Sequence, residues 1–195
     1  GFDGTSMQDI ATAAGVSRGM PGYAFGSKAS LYEAVLDRAF ARPRALMSEM
    51  AARLEDEDAP TSLGAAIESY VDFLAAHPTY VRLLQRAALD GTSAMGEGTA
   101  NLEALGEAVA HVGEMVGSEG LRPVDPRQLV VSLLALCFFP FAHQSTLLGP
   151  LGLDAGDPAF VDERKAHLLD LVLNGLLERT PCPRSARGRG TRRDH

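Results

Sequence analysis

Cysteine is scarce, with two residues in 195: Cys137 inside an apolar run and Cys182 close to the carboxyl end. Two thiols are too few for a disulfide framework and fit a reducing compartment, so a cytoplasmic location is expected. Long hydrophobic runs are also missing. The longest stretch, Leu129 to Ala142, is interrupted by Ser132 and Pro140. It falls short of the roughly 20 apolar residues a membrane span needs, and reads as a buried helix with no membrane partner. No alternating strand pattern and no internal repeat occurs, which leaves an all-α fold. Catalytic signatures fail as well. There is no G-x-S-x-G elbow and no paired-histidine metal spacing, and Gly22 to Lys28 does not match a phosphate loop. The five histidines are scattered along the chain. No enzyme is expected, and no cofactor or metal is implied.

Excess positive charge is missing too, since the net charge is −7. Its distribution is uneven. Residues 1–45 hold five basic and four acidic residues, residues 46–180 eight and twenty, and residues 181–195 five and one. A near-neutral amino-terminal segment on an acidic body keeps non-specific affinity for a polyanion modest.

What is present is concentrated between Thr5 and Leu31. Met7, Ile10, Ala11 and Ala14 fall at i, i+3, i+4 and i+7, one apolar stripe of a short helix. Thr5 with Gln8, or Ser6 with Asp9, suits a capping box at its start. Gly15 supplies a left-handed terminus, Val16 is placed to tuck under the corner, and Ser17 is placed to cap a second helix. A third helix then begins near Lys28. Pro21 would fall at about the fourth position of a helix capped by Ser17, shortening or distorting it.

These residues resemble the helix-turn-helix of the tetracycline-repressor (TetR) family of bacterial regulators. The matching positions are Thr5, Ile10-Ala11, Ala14-Gly15-Val16-Ser17, Gly19, Tyr23, Phe25, Lys28 and Leu31. In that family a further helix precedes the motif, whereas here only Gly1 to Gly4 do, so the chain is expected to start inside its gene product. The resemblance implies a DNA-reading head at residues 1–45 and a helical effector-binding and dimerisation domain at 46–179; residues 180–195, rich in Arg, Gly and Pro without apolar periodicity, are expected to be a disordered basic tail. It also implies double-stranded operator DNA, a second copy of the chain and a small-molecule effector as partners.

Chemistry sorts the expected DNA contacts. Thr5, Tyr23 and Lys28 offer hydroxyls and an ammonium to phosphates, whereas Ser17, Arg18, Gly19, Met20 and Gly22 face the groove floor. Arg18 has two readings, a bidentate contact to guanine or a phosphate clamp, and Tyr23 could equally close the small core with Phe25. Met7, Ile10, Val16, Phe25 and Leu31 are expected to be core.

Further on, helices are expected to about Leu54, around Leu63 to Leu74, from Pro78, through Leu102 to Val116, from Arg127 to Leu148 and from Pro158 to Arg179. The last is apolar on more than one side, and Phe160, Leu168, Val172, Gly175 and Leu176 are the expected dimer interface. Candidate effector contacts are Phe73, His77, Tyr80, Leu84, Met95, His111, Met115, Phe138, Phe139 and His143, with Pro140 opening space beside Phe139. The implied effector is apolar, aromatic or amphiphilic. The alternative is a helical ligand-binding or interaction protein without sequence-specific DNA binding, motivated by Pro21 and the short amino end.

Overall fold

A computed structural model describes residues 2–53, 58–89, 99–116 and 122–176. Among them are eight α-helices and no strand. The all-α expectation holds. The Asp90 to Thr99 stretch, apart from Thr99, the tail at 180–195 and Met95 lie outside the described residues.

The head is built from α1 (Met7–Ala14), α2 (Met20–Phe25) and the start of α3 (Lys28–Arg53). Of the two possible boxes, Ser6 and Asp9 form the one observed. The Asp9 amide donates to Ser6 Oγ at 3.2 Å, and the Ser6 amide donates to the Asp9 carboxylate at 2.8 Å. Hydrogen bonds from the Ser6 hydroxyl and then its amide hold the Asp9 carboxyl below its ordinary value. Gly15 ends α1 at φ 67, and the Val16 amide closes back on the Ala11 carbonyl at 3.0 Å.

The second helix differs from expectation. It is not capped by the Ser17 side chain: Gly19 is the cap residue, without a side-chain bond, and α2 begins at Met20. Pro21 therefore stands in the first turn, where its missing amide leaves no helical bond unmade. It is buried there. The helix is short, at six residues, but it is not broken.

The head's own core is thin. Ala11 and Pro21 are buried, Met7, Ile10 and Leu31 are half-buried, and Val16 and Phe25 remain exposed. Val16 thus does not tuck under the corner. Ile10, Leu31 and Val35 instead border a hollow of about 420 Å³, together with Phe2, Leu83 and Arg86.

From the head, α3 continues without a break through residue 45 and past Pro43. At 1.5 Å per residue its 26 residues span about 39 Å. It lays Leu36 and Phe40 into the body core. At the centre of the body is α4 (Ala59–Ala76), which packs against α3, α5 (Pro78–Leu89), α7 (Pro126–Ala142) and α8 (Pro158–Leu176). Asp58 caps α4, accepting the Thr61 amide at 2.9 Å. Val71, Leu74 and Leu168 are almost fully buried, and truncating any of them would cost about 2–5 kcal/mol. The remaining helix, α6 (Thr99–Val116), packs against α3 and α7.

The expected Arg127 to Leu148 helix is two pieces. Regular turns stop at Ala142, and residues Gln144–Leu148 form a π-helical turn followed by a 3₁₀ turn at Gly149–Leu151, bent by 73° from α7. Pro140 lies inside α7 and deprives the Leu136 carbonyl of its i+4 donor. Arg164 of α8 supplies the substitute, its Nη2 donating to that carbonyl at 2.7 Å. Phe139 projects outward, with its ring tilted against that of His143 at 4.1 Å between centroids.

Candidate nucleic-acid interface

The corner between α1 and α2 presents one continuous exposed face: Ser17, Arg18, Gly19, Met20, Gly22 and Tyr23. Arg18 projects from the turn immediately before α2. The Tyr23 ring is 91% exposed, so of its two readings the packing one is ruled out; it does not close a core with Phe25. A large aromatic left so bare is informative when its neighbours are a cation and hydroxyls, which suit phosphate.

The glycines point the same way. Gly19 and Gly22 have ordinary backbone angles, and a Cβ at either would meet nothing within 4 Å. Within a helix Gly22 costs about 1 kcal/mol relative to alanine. Nothing among the described residues requires the missing side chains, whereas close approach to an external surface would. Gly26 is different, since its φ of 75 is needed to leave α2 and enter α3.

Lys28 is placed otherwise than expected. Its ammonium donates to the Phe2 carbonyl at 2.6 Å and the Thr5 carbonyl at 3.2 Å, and lies 4.4 Å from the Phe2 ring centroid. The cation is turned inward as a staple on the amino-terminal segment instead of outward to a phosphate. Thr5, on that segment, is half-buried. Sequence reasoning overlooked Phe2 because its partners Lys28 and Tyr32 are far along the chain.

The expected effector residues are not assembled into one pocket. An apolar cavity of about 60 Å³ does lie between α4, α6 and α7, but Leu63, Tyr70, Val112, Leu133, Leu134 and Cys137 are among its walls, and none of the nine described candidates is. The reasons are local. His77 and His111 turn back onto their own helices, bonding the Phe73 and Glu107 carbonyls at 2.7 and 2.6 Å. Phe73 and Tyr80 pack edge to face at 5.0 Å and, with Phe40, join α3, α4 and α5 as plain core. Met115 is buried, and Leu84 and Phe138 are half-buried against the core. His143 borders a separate cleft beside α5.

The cavity is electrically quiet. Burial pushes the Cys137 thiol up to about 11, opposed by the Arg164 charge, and pushes Tyr80 up to about 12. Tyr70 is raised further, first by burial, and its hydroxyl bonds that of Tyr80. All three stay neutral.

The expected interface on α8 also needs correction. Leu168, Val172 and Leu176 are buried within the chain's own core, and Phe160 packs half-buried near Phe141. A helix with two apolar faces directs one inward, and periodicity does not say which. Exposed on α8 are Leu171 and Gly175, and exposed on α7 are Val131, Ala135 and Phe139, with Val131 62% exposed.

Comparison with known proteins matches this architecture at both ends. Residues 1–35 fit the family described as bacterial regulatory proteins, tetR family, and residues 60–172 fit the tetracyclin repressor-like C-terminal domain. The HTH-type transcriptional regulator RutR of Escherichia coli is 30% identical over 190 residues, covering 92% of this chain and 84% of that protein. The HTH-type transcriptional repressor NicS of Pseudomonas putida is 27% identical over 183 residues, covering 90% and 84%.

Proposed function

Because the chain belongs to the tetR family of bacterial transcriptional regulators, which bind DNA, we propose that it is a cytoplasmic homodimeric repressor, released from its operator by a small apolar or aromatic molecule. The observation that carries the reading is the bare face of Ser17, Arg18, Gly19, Met20, Gly22 and Tyr23. Arg18 reads a base edge, Ser17 and Met20 contact the groove floor, the two glycines allow close approach, and Tyr23 and Thr5 hold phosphates. With Pro21 in the first turn of α2, the alternative of a protein without DNA binding loses one of its two motives.

The outward stripe of Val131, Ala135 and Phe139 on α7, with Leu171 and Gly175 on α8, supports pairing of two copies. Helix-turn-helix dimers read half-sites about 34–36 Å apart. Residues 1–45 act as the head and 46–179 as the body, with α3 as the shaft shared between them. The effector enters between α4, α6 and α7, where the apolar cavity of about 60 Å³ must widen to hold it. Because α4 and α6 both pack on α3, a molecule that wedges them apart changes the spacing of the heads, which is the differential binding that release requires.

The test is binding to DNA from the chain's own upstream region at several salt concentrations. A salt-sensitive, competitor-resistant complex with two subunits per site is expected, and Arg18→Ala should relax base preference by about 1–3 kcal/mol at one position. A stable dimer that forms no such complex overturns the reading.

A further inference from the structure

We propose that the cleft between α5 and the bend after α7 is a binding site for a small organic carboxylate, separate from the apolar cavity. The cleft encloses about 720 Å³, within the range of small-molecule sites. Its floor is the buried trio Leu74, Val81 and Phe141, and its rim carries Arg82, Gln85 and His143. An apolar floor under a few convergent polar groups is the construction that orients a small ligand.

Its walls are braced by side chains. Gln85 Nε2 of α5 donates to the Ala142 carbonyl at 2.6 Å, satisfying the end of α7. Gln144 holds the far wall, donating to Asp154 Oδ1 at 2.9 Å and accepting the Ala155 amide at 2.8 Å. That wall includes the π-helical turn, a rare conformation that is concentrated at functional sites.

Charge selects the ligand. Arg82 donates to the Thr79 hydroxyl at 3.1 Å and meets no carboxylate among the described residues, leaving most of its guanidinium donors for a ligand. The Ser145 and Thr146 hydroxyls line the same space, and the His143 ring shares a 3.3 Å bond with Thr146. Asp154 is the opposing acid on the rim, but its Oδ1 is already bonded by the Gln144 side chain and the Gly156 amide. An acid with its carboxylate on Arg82 and its carbon body over Val81 and Phe141 satisfies both surfaces.

The same helix α5 places Leu83 and Arg86 at the hollow beneath the head, beside Ile10, Lys28 and Tyr32. Any effect of the acid on DNA binding rests on the regulator reading. Binding of the acid does not, and it is measured without DNA.

Calorimetric titration of the full chain with benzoate and hexanoate, against benzamide and hexanamide, is the test. Saturable binding of the acids but not the amides is expected, weakened at least about tenfold by Arg82→Gln, a surface change. The Gln85 side-chain amide resonance should move with the acids. Leu134→Ala in the apolar cavity should leave acid affinity unchanged. No saturable binding of either acid, equal binding of acid and amide, or insensitivity to Arg82→Gln overturns the proposal, as does loss of acid binding in Leu134→Ala.

Discussion

Replacing Lys28 with methionine separates its two possible roles, because a staple and a phosphate clamp fail in different measurements. The ammonium makes two hydrogen bonds to backbone carbonyls and faces the Phe2 ring at 4.4 Å. Hydrogen bonds to a charged group contribute about 1.5–3 kcal/mol each when buried, and an exposed cation–π contact adds about 0.5–1 kcal/mol. Lys28 is only half-buried, so solvent screens these terms, and a total loss of about 1–2 kcal/mol is expected. For a chain of this size that lowers Tm by about 2–8 °C, readable by circular dichroism. The slope of log affinity for DNA against log salt should stay the same, since no phosphate contact is lost. A phosphate clamp would behave oppositely, leaving Tm in place and reducing the slope by about 0.9. That second result would refute the inward assignment and return Lys28 to the DNA surface.

Asp9→Asn removes half of the capping box, and its effect should depend on pH. The folded carboxyl titrates below its ordinary 3.8, so its contribution is present above 3.8 and is lost as pH falls through the lower folded value. The variant should melt earlier than the parent near neutrality and coincide with it at about pH 2; a gap that persists in acid refutes the linkage. Cys137, with its thiol pushed up to about 11, should resist iodoacetamide at about pH 8 in the native protein and react on unfolding. Peptide mapping that finds it alkylated in the folded state would overturn that expectation. Arg164→Met should cost about 1–3 kcal/mol by leaving the Leu136 carbonyl unpaired. In a Pro140→Ala background the cost should shrink by about 1 kcal/mol, because residue 140 then has an amide to offer; strictly additive losses in denaturant titrations would show that the two residues act independently.

The difference between legible and illegible features follows from how far each interaction reaches along the chain. Ser6 with Asp9, Gly15, and Pro78 opening α5 act within a few residues, so spacing alone reveals them. The start of α2 was misplaced for a local reason too: Ser17 and Gly19 both suit a cap, and Pro21 tips the choice, because a proline is tolerated in the first turn and costly in the fourth position. By contrast, Lys28 on the Phe2 carbonyl, Arg164 on the Leu136 carbonyl and Gln85 on the Ala142 carbonyl span 26, 28 and 57 residues. A lysine, an arginine and a glutamine look the same in sequence whether they face solvent or a backbone oxygen. Helix periodicity has a similar blind spot. It showed that α8 has more apolar surface than one core needs, yet not that Leu168, Val172 and Leu176 turn inward while Leu171 turns out. These three polar bridges tie the amino-terminal segment to α3, α7 to α8, and α5 to α7. The residues that sequence reading handles worst are therefore those through which one helix of this chain constrains the position of another.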